Sequence, residues 1–341
     1  MSADATGAAA PLNVLVTDSI MARFGPELLV GDDRNTWTLA ADWSAEKILA
    51  ELPRTDVLVC SSMTREMAAA AGRLQLVQVT GAGFDKIPVD DLGAGVALAN
   101  TFHHGRPIAE HVVMVALMLN RHVQSADRQM RAGQWRTVAN DPEVAFHGVL
   151  AGRTVGLLGL GGIGQEVARL AGALGMRVQA IRRNVTGAVP ADLDLDWVGG
   201  LADLLRLMST SDIVVVTIPL SDDTRGVVDA AALAAMKPTG LLVNVARGAV
   251  VDEDALYDAL VGGVIAGAAI DVWWGAPTPD RAAPPATARF AALENTILTP
   301  HHSGHARSTF ELRAADITAN VQNVANGRPL INLVRPARTP A

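Results

Sequence analysis

The sequence predicts an α/β protein built as two doubly wound parallel-sheet domains, and three observations carry that reading. The chain has 341 residues, and at roughly 150 residues per domain this suggests two domains. Half of its residues are apolar and 18% are charged, which permits sizeable cores and argues against long-range disorder. Short β-rich runs alternate with helix-compatible, Ala-rich stretches almost throughout. That alternation is the signature of a parallel sheet with helices on both faces.

Taken in order, the runs at 12–17, 56–61, 76–80 and 96–99 read as strands of a first domain. Pro107 then opens a long helix, where its missing N–H costs nothing. Ile108, Val112, Val115, Ala116 and Leu119 form one apolar stripe, and Ala109, Val113 and Leu117 form a second. A helix apolar nearly all round is buried on more than one side. It is read as crossing between domains and lying in a subunit interface, so a homodimer is expected. From Gly152 a more regular series places strands at 154–158, 176–181, 213–218, 241–245, 265–270 and 296–298, with helices between them. Six strands suffice for a second complete doubly wound domain. The Pro/Ala-rich segment 275–288 reads as an irregular loop. After His301 a helical pattern resumes through Leu312, Ala315, Ile317, Val321 and Val324, and this helix is expected to pack back on the first domain. The expected domains are therefore 1–118 with 307–341, and 119–306. Residues 1–11 and 335–341 read as loose tails.

Composition narrows the function. There are 28 basic and 35 acidic residues, a net charge of −7, which argues against a nucleic-acid or anionic-membrane partner. Residues 1–11 lack the basic start and apolar centre of a signal peptide. The uncharged apolar stretch 259–270 is too short for a bilayer, which needs about 20 residues. The single cysteine, Cys60, excludes a disulfide framework and a thiolate zinc cage. It lies in the apolar run 56–60 and reads as a buried structural thiol in a cytoplasmic protein.

The clearest chemical motif is Gly159-Leu160-Gly161-Gly162-Ile163-Gly164, between the strand 154–158 and a helical pattern through Val167, Ala168, Leu170 and Ala171. The first glycine permits a tight turn, the second lets backbone approach a pyrophosphate, and the third lets helix and strand pack closely. The helix N-terminus faces the anion. Strand, glycines, helix and next strand fall in the order a dinucleotide site requires, although a glycine turn alone can be merely structural. The next strand should end, about 20 residues on, at the residue that reads the adenosine ribose. It ends in Arg182-Arg183-Asn184. An acidic residue there would favour NAD. Two arginines match the geometry of a 2′-phosphate and favour NADP over NAD, unless they are a solvated pair beside the site.

With these motifs in place, the sequence resembles the D-isomer-specific 2-hydroxyacid dehydrogenase family over nearly its whole length, most strongly at 76–310. The resemblance rests on Thr80-Gly81-Ala82-Gly83-Phe84-Asp85, Ile108-Ala109-Glu110-His111, the Gly159 to Gly164 turn, and Ile218-Pro219-Leu220 followed by Thr224. It continues in Asn244-Val245-Ala246-Arg247-Gly248, Ala269-Ile270-Asp271-Val272 and Thr299-Pro300-His301. It implies a Rossmann coenzyme domain beside a flavodoxin-like substrate domain, with the active site in the cleft. It further implies that the Gly81–Gly83 loop, including Ala82 and Gly83, offers N–H groups to a substrate carboxylate. Arg247 would hold a 2-oxo acid and His301 would donate and accept the proton. Asp271 would lie near the nicotinamide amide, with Ile163, Pro219, Val245, Ala246 and Gly304 completing the cofactor contacts.

The residue types suit those roles. Arg247 follows a strand at the carboxyl end of the sheet, where open α/β sheets bind ligands, and its fork can bind a carboxylate or polarise a carbonyl. A plain surface arginine is the alternative. A histidine titrates near neutrality, which suits proton transfer. His302 and His305 read as polar loop residues. A metal site is not expected, because adjacent side chains diverge and no carboxylate or cysteine cluster accompanies them. Two departures from the family pattern stand out. Where members carry a glutamate that pairs with the histidine, five residues after Asp271, this chain has Ala276, followed by Pro277. Where many carry Asn, six residues before Glu110, it has His104, which either enters the substrate pocket or is a loop histidine; His103 is left unassigned. The reading is hydride transfer between NAD(P)H and a small 2-oxo or 2-hydroxy acid such as glyoxylate or hydroxypyruvate. Loss of the glutamate keeps open a formate-type enzyme that moves no proton, and a nucleotide-sensing binding protein.

Overall fold

The computed structural model describes residues 10–29, 32–275 and 285–337. The chain divides into two units, one ending at His103 and resuming at Ala306, the other running His104–His305.

In the first unit, β1 (Asn13–Val16), β2 (Thr36–Leu39), β3 (Val57–Cys60), β4 (Leu76–Val79) and β5 (Ala97–Ala99) form a parallel sheet in the order β2-β1-β3-β4-β5. This 2-1-3-4-5 winding is the flavodoxin-like arrangement. The central strands β3 and β4 are buried at every position, as strands covered on both faces must be. The helix Arg307–Ala325 closes one face, placing Phe310, Ala314, Ile317 and Val321 against Val14, Val16, Val57 and Leu76.

The second unit holds β6 (Thr154–Leu158), β7 (Arg177–Ile181), β8 (Trp197–Gly199), β9 (Ile213–Val216), β10 (Leu241–Asn244), β11 (Gly267–Ile270) and β12 (Thr296–Leu298). Their order, β8-β7-β6-β9-β10-β11-β12, is all parallel and doubly wound about β6, the Rossmann winding. Side chains alternate between two apolar layers because successive strand residues face opposite ways. Ile213 and Val215 pack with Leu157, Val178 and Val243. Val214 and Val216 pack with Leu158, Leu242 and Leu256.

Several expectations are corrected. The long helix begins at Gly105 and runs Gly105–Asn120, so Pro107 is its third residue; the first-turn N–H groups have no partner inside the helix, so proline is tolerated there too. It belongs with the second unit, because Ile108, Val112, Val115 and Ala116 pack on the layer that contains Val155, Leu157 and Ala269. Its second stripe is not buried throughout, since Leu117 and the neighbouring Met114 are exposed. Segment 285–288 is not loop: Pro285–Ala291 is helical, while 276–284 lie outside the described residues. Arg335 is not in a loose tail, for β13 (Leu333–Arg335) pairs antiparallel with β5, so the first sheet is mixed. Residues 338–341 and 1–9 lie outside the described residues.

Cys60 is fully buried at the end of β3. Burial, then the nearby Asp18 charge, pushes its thiol up to about 12. Only the thiolate attacks disulfide reagents. At pH 8 the native protein is therefore expected to leave Cys60 unmodified by an aromatic disulfide, with one thiol per chain appearing in denaturant. Rapid labelling of the native protein would contradict this burial.

Candidate active site

The glycine turn leaves β6 at the point where the second sheet reverses its winding. Gly159 has φ +116, in the left-handed region, and a Cβ there would lie 2.8 Å from Thr217 Oγ1. Thr217 Oγ1 donates to the Gly159 carbonyl at 2.9 Å, which ties the turn to the end of β9. A Cβ on Gly164 would fall 2.2 Å from the Gly159 carbonyl oxygen, so only glycine lets the helix Gly162–Ala173 start this close to the strand. Gly161 is the N-cap of that helix and supplies no side-chain cap. Cβ atoms on Gly161 and Gly162 would meet nothing within 4 Å. Ile163 is half-buried against the core below. The result is an open backbone cradle at an uncapped helix N-terminus, which fits a dinucleotide pyrophosphate.

Beside it, the two arginines diverge in role. Arg182 turns its guanidinium back onto the carbonyls of Gly187 and Ala188, bracing its own loop, and its Nε is buried without a partner. Arg183 is exposed. Pro219 is exposed too, on a loop that Thr224 closes by donating to the Pro219 carbonyl at 2.8 Å.

Arg247 is presented by a braced turn after β10. Buried Asn244 accepts from the Ala246 N–H at 3.1 Å and donates to the Arg247 carbonyl at 3.0 Å. Val245 and Ala246 are buried beneath it. The arginine is half-buried, and its Nη1 donates to the Ala246 carbonyl at 2.8 Å. A Cβ on Gly248 would lie 2.4 Å from the Trp273 carbonyl carbon, so this turn rests directly on the backbone after β11. The Trp273 indole in turn donates to the Thr299 carbonyl at 3.0 Å. The Arg247 turn and the His301 loop are thus joined through one tryptophan.

His301 itself is exposed and has φ +58, an unfavourable conformation for a non-glycine residue. Asp271, 1% exposed at the end of β11, holds the loop on both sides of it. Its carboxylate accepts from Thr299 Oγ1 at 2.6 Å, from the His302 N–H at 3.0 Å and from the Ser303 N–H at 3.1 Å. Burial pushes the Asp271 carboxyl up, but the hydrogen bonds from Ser303, Thr299 and His302 outweigh it and hold it below the ordinary carboxylate value. The resemblance implies a cofactor contact for Asp271; here its carboxylate is engaged by the histidine loop. Gly304 follows, and a Cβ there would come 3.3 Å from the His104 Cβ. His104, the N-cap of the helix Gly105–Asn120, therefore sits against the same loop. Ala82 and Gly83 lie in the first unit, on a loop after β4 that Asn100 Nδ2 holds through the Ala82 carbonyl at 2.7 Å. Ala276 and Pro277 lie outside the described residues.

Sequence reasoning missed the braces Trp273 and Ser303, and it gave no role to Asn244 or His111 although both fall in its motifs. The last left a signal: it is a titratable residue one turn after Ile108, on the apolar face of a helix. His111 is buried and stands edge-on to His302, with ring centroids 5.6 Å apart. Among the described residues, no group of three or more His, Cys, Asp or Glu side chains could hold a metal ion, and no helix is long and apolar enough to cross a membrane.

The family profile described as D-isomer specific 2-hydroxyacid dehydrogenase, NAD binding domain, matches residues 113–303. The chain belongs to this family. It is similar to the D-3-phosphoglycerate dehydrogenase of Mycobacterium tuberculosis, 33% identical over 283 residues that make up 81% of this chain and 50% of that protein. The chain thus spans about half the length of such relatives. It is 32% identical to the glyoxylate reductase of Pyrococcus furiosus over 82% of this chain and 81% of that one. Among solved structures, the NADPH-dependent glyoxylate/hydroxypyruvate reductase from Sinorhizobium meliloti superposes with a TM-score of 0.77 at 25% identity, covering 97% of this chain and 100% of that one.

Two glycine variants separate packing from binding. Gly164→Ala is expected to destabilise the second unit by about 1–3 kcal/mol, the usual cost of overpacking. Gly161→Ala should leave the melting temperature unchanged and weaken NAD(P)H binding at least about tenfold, read by nucleotide fluorescence. Equal melting shifts for the two would contradict the cradle.

Burial, with His302 adding to it, holds the His111 imidazole below its ordinary value of 6.5, and Asp271 only partly opposes this. The unfolded chain therefore binds this proton more readily than the fold does. The stability that neutral His111 contributes is complete above 6.5 and is lost as pH falls through its lowered value. His111→Gln should flatten that part of the curve of stability against pH, measured by urea unfolding.

Proposed function

We propose that the protein is an NAD(P)H-dependent reductase of small 2-oxo acids, of the glyoxylate or hydroxypyruvate type. One observation carries this reading: Arg247 and His301 emerge from neighbouring carboxyl-end turns that Trp273 and Asp271 brace together, in the same sheet as the glycine cradle. The bound nicotinamide would supply the hydride to C2 of the substrate. Arg247 then binds the carboxylate and polarises the 2-oxo group with its planar fork. His301 gives its proton to the C2 oxygen as the hydroxyl forms. His104 shapes the pocket beside Gly304. The similarity to a glyoxylate reductase along most of both chains supports this substrate class.

NADPH is the proposed coenzyme, with exposed Arg183 on the 2′-phosphate and Arg182 holding the shape of the loop. The proposed assembly is a homodimer. Met114, Leu117, Val123 and Met130 are exposed around a groove along the second unit's helices, and Trp135 and Phe146 are 70% and 88% exposed in the segment that follows. These exposed apolar side chains are the surface proposed for that association. The lone buried thiol fits a cytoplasmic location.

Turnover of glyoxylate, hydroxypyruvate and formate with NADPH and NADH tests the reading. Reduction of either 2-oxo acid is expected, and formate oxidation is not. Arg247→Lys should lower kcat/KM at least about 100-fold, near 2.7 kcal/mol of transition-state binding, with little change in NADPH affinity. Arg183→Asp should shift preference at least about tenfold toward NADH, because a carboxylate repels the phosphate. Cofactor binding with no turnover of any of these substrates would favour a sensing role instead.

A further inference from the structure

The proposed reaction makes no use of the His111 and His302 side chains. His302 follows His301 on the clamped loop and is exposed, whereas His111 is 8% exposed on the second turn of the helix Gly105–Asn120. Their rings meet edge to face, at 85°, an arrangement that is attractive between uncharged rings. Among the described residues the His111 ring makes no hydrogen bond, so His302 and the Asp271 carboxylate are the polar groups that act on it. Other charged groups around this helix have partners of their own. Glu110 pairs with Arg106, and Glu166 on the helix Gly162–Ala173 pairs with Arg106 and Arg169. Asp127 and Arg131, on the helix Val123–Arg131, pair with each other, and Arg128 pairs with Glu294. Arg247, His301 and His305 lie on the turns after β10 and β12, and His104 caps the helix.

We propose that His302 and His111 form a titratable latch that positions His301: the uncharged rings seat the loop against the helix, and a proton on either ring unseats it. This rests on the reductase reading above for its kinetic consequence but not for its structural one. The latch works through Asp271. A charged imidazole beside that carboxylate competes for the lone pairs that receive Thr299, His302 and Ser303. Those bonds hold His301 in its left-handed conformation, so weakening them releases the proton donor from its place. Two charges cannot be accommodated at this spacing without mutual repulsion. Burial holds the His111 imidazole below its ordinary value.

The test uses the full chain with isotope-labelled histidines, as wild type, His302→Phe and His302→Ile. Phenylalanine keeps an edge-on ring that cannot take a proton; isoleucine removes the ring. Nuclear magnetic resonance should show the His111 midpoint about half a pH unit higher in His302→Phe than in wild type, the repulsion expected through water at this separation. Amide exchange at Ser303 should accelerate on acidification in wild type, follow the raised His111 midpoint in His302→Phe, and be fast at all pH values in His302→Ile. In turnover, the acid-side decline of reductive kcat should follow that same raised midpoint in His302→Phe. In His302→Ile, kcat should fall about tenfold with the KM for NADPH retained. An unchanged His111 midpoint together with superimposable exchange profiles would overturn the latch and leave the pair as packing. If no 2-oxo acid is reduced, the reductase reading fails, and the titration and exchange results still decide the latch.

Discussion

One buried carboxylate fixes the chemistry of the second unit. Asp271 ends β11 and accepts hydrogen bonds from residues on both sides of His301. A left-handed non-glycine residue costs roughly 1–2 kcal/mol, and such strain persists only where the surroundings over-determine it. Hydrogen bonds to a charged acceptor are about twice as strong as neutral ones, and three of them outweigh the strain. The same bonds keep Asp271 ionised despite its burial. Without them, a carboxylate at this depth would be driven toward its neutral form.

Around that anchor the site is assembled from close backbone approaches. The Arg247 turn rests on Trp273 because residue 248 has no side chain, and the tryptophan reaches on to Thr299. The nucleotide cradle exists because Gly164 can lie against the Gly159 carbonyl. Each contact occurs at the carboxyl end of a parallel strand, where the chain must turn anyway. Distant parts of the sequence therefore converge without long unsupported loops.

The interior of the fold was legible because buried parallel strands are apolar at every position, and runs such as 57–60 and 213–216 stand out from their Ala-rich neighbours. Among the described residues, three of the four edge strands were not, 296–298 being the exception. Residues 36–39 are half-exposed, 197–199 contain one tryptophan and two small or β-branched residues, and 333–335 end in an arginine. Their strand character comes from pairing with a sheet already formed, not from local pattern. The glycine turn was readable because its spacing states a steric requirement. The fate of Arg182 was not, since the choice between ligand and loop carbonyl depends on how 183–188 folds back. His111 was hidden for a related reason: on a helix face it looks like a core residue until the loop from 299–303 is laid against it.

The most direct test of the clamp is amide hydrogen exchange at His302 and Ser303 in Asp271→Asn, measured together with NADPH affinity. Asparagine preserves shape but removes the charge and one acceptor. If the carboxylate acts by holding the His301 loop, exchange at both amides should rise at least about tenfold while NADPH affinity stays within about threefold of wild type. Unchanged exchange with a large loss of NADPH affinity would contradict the clamp and make Asp271 a cofactor contact instead.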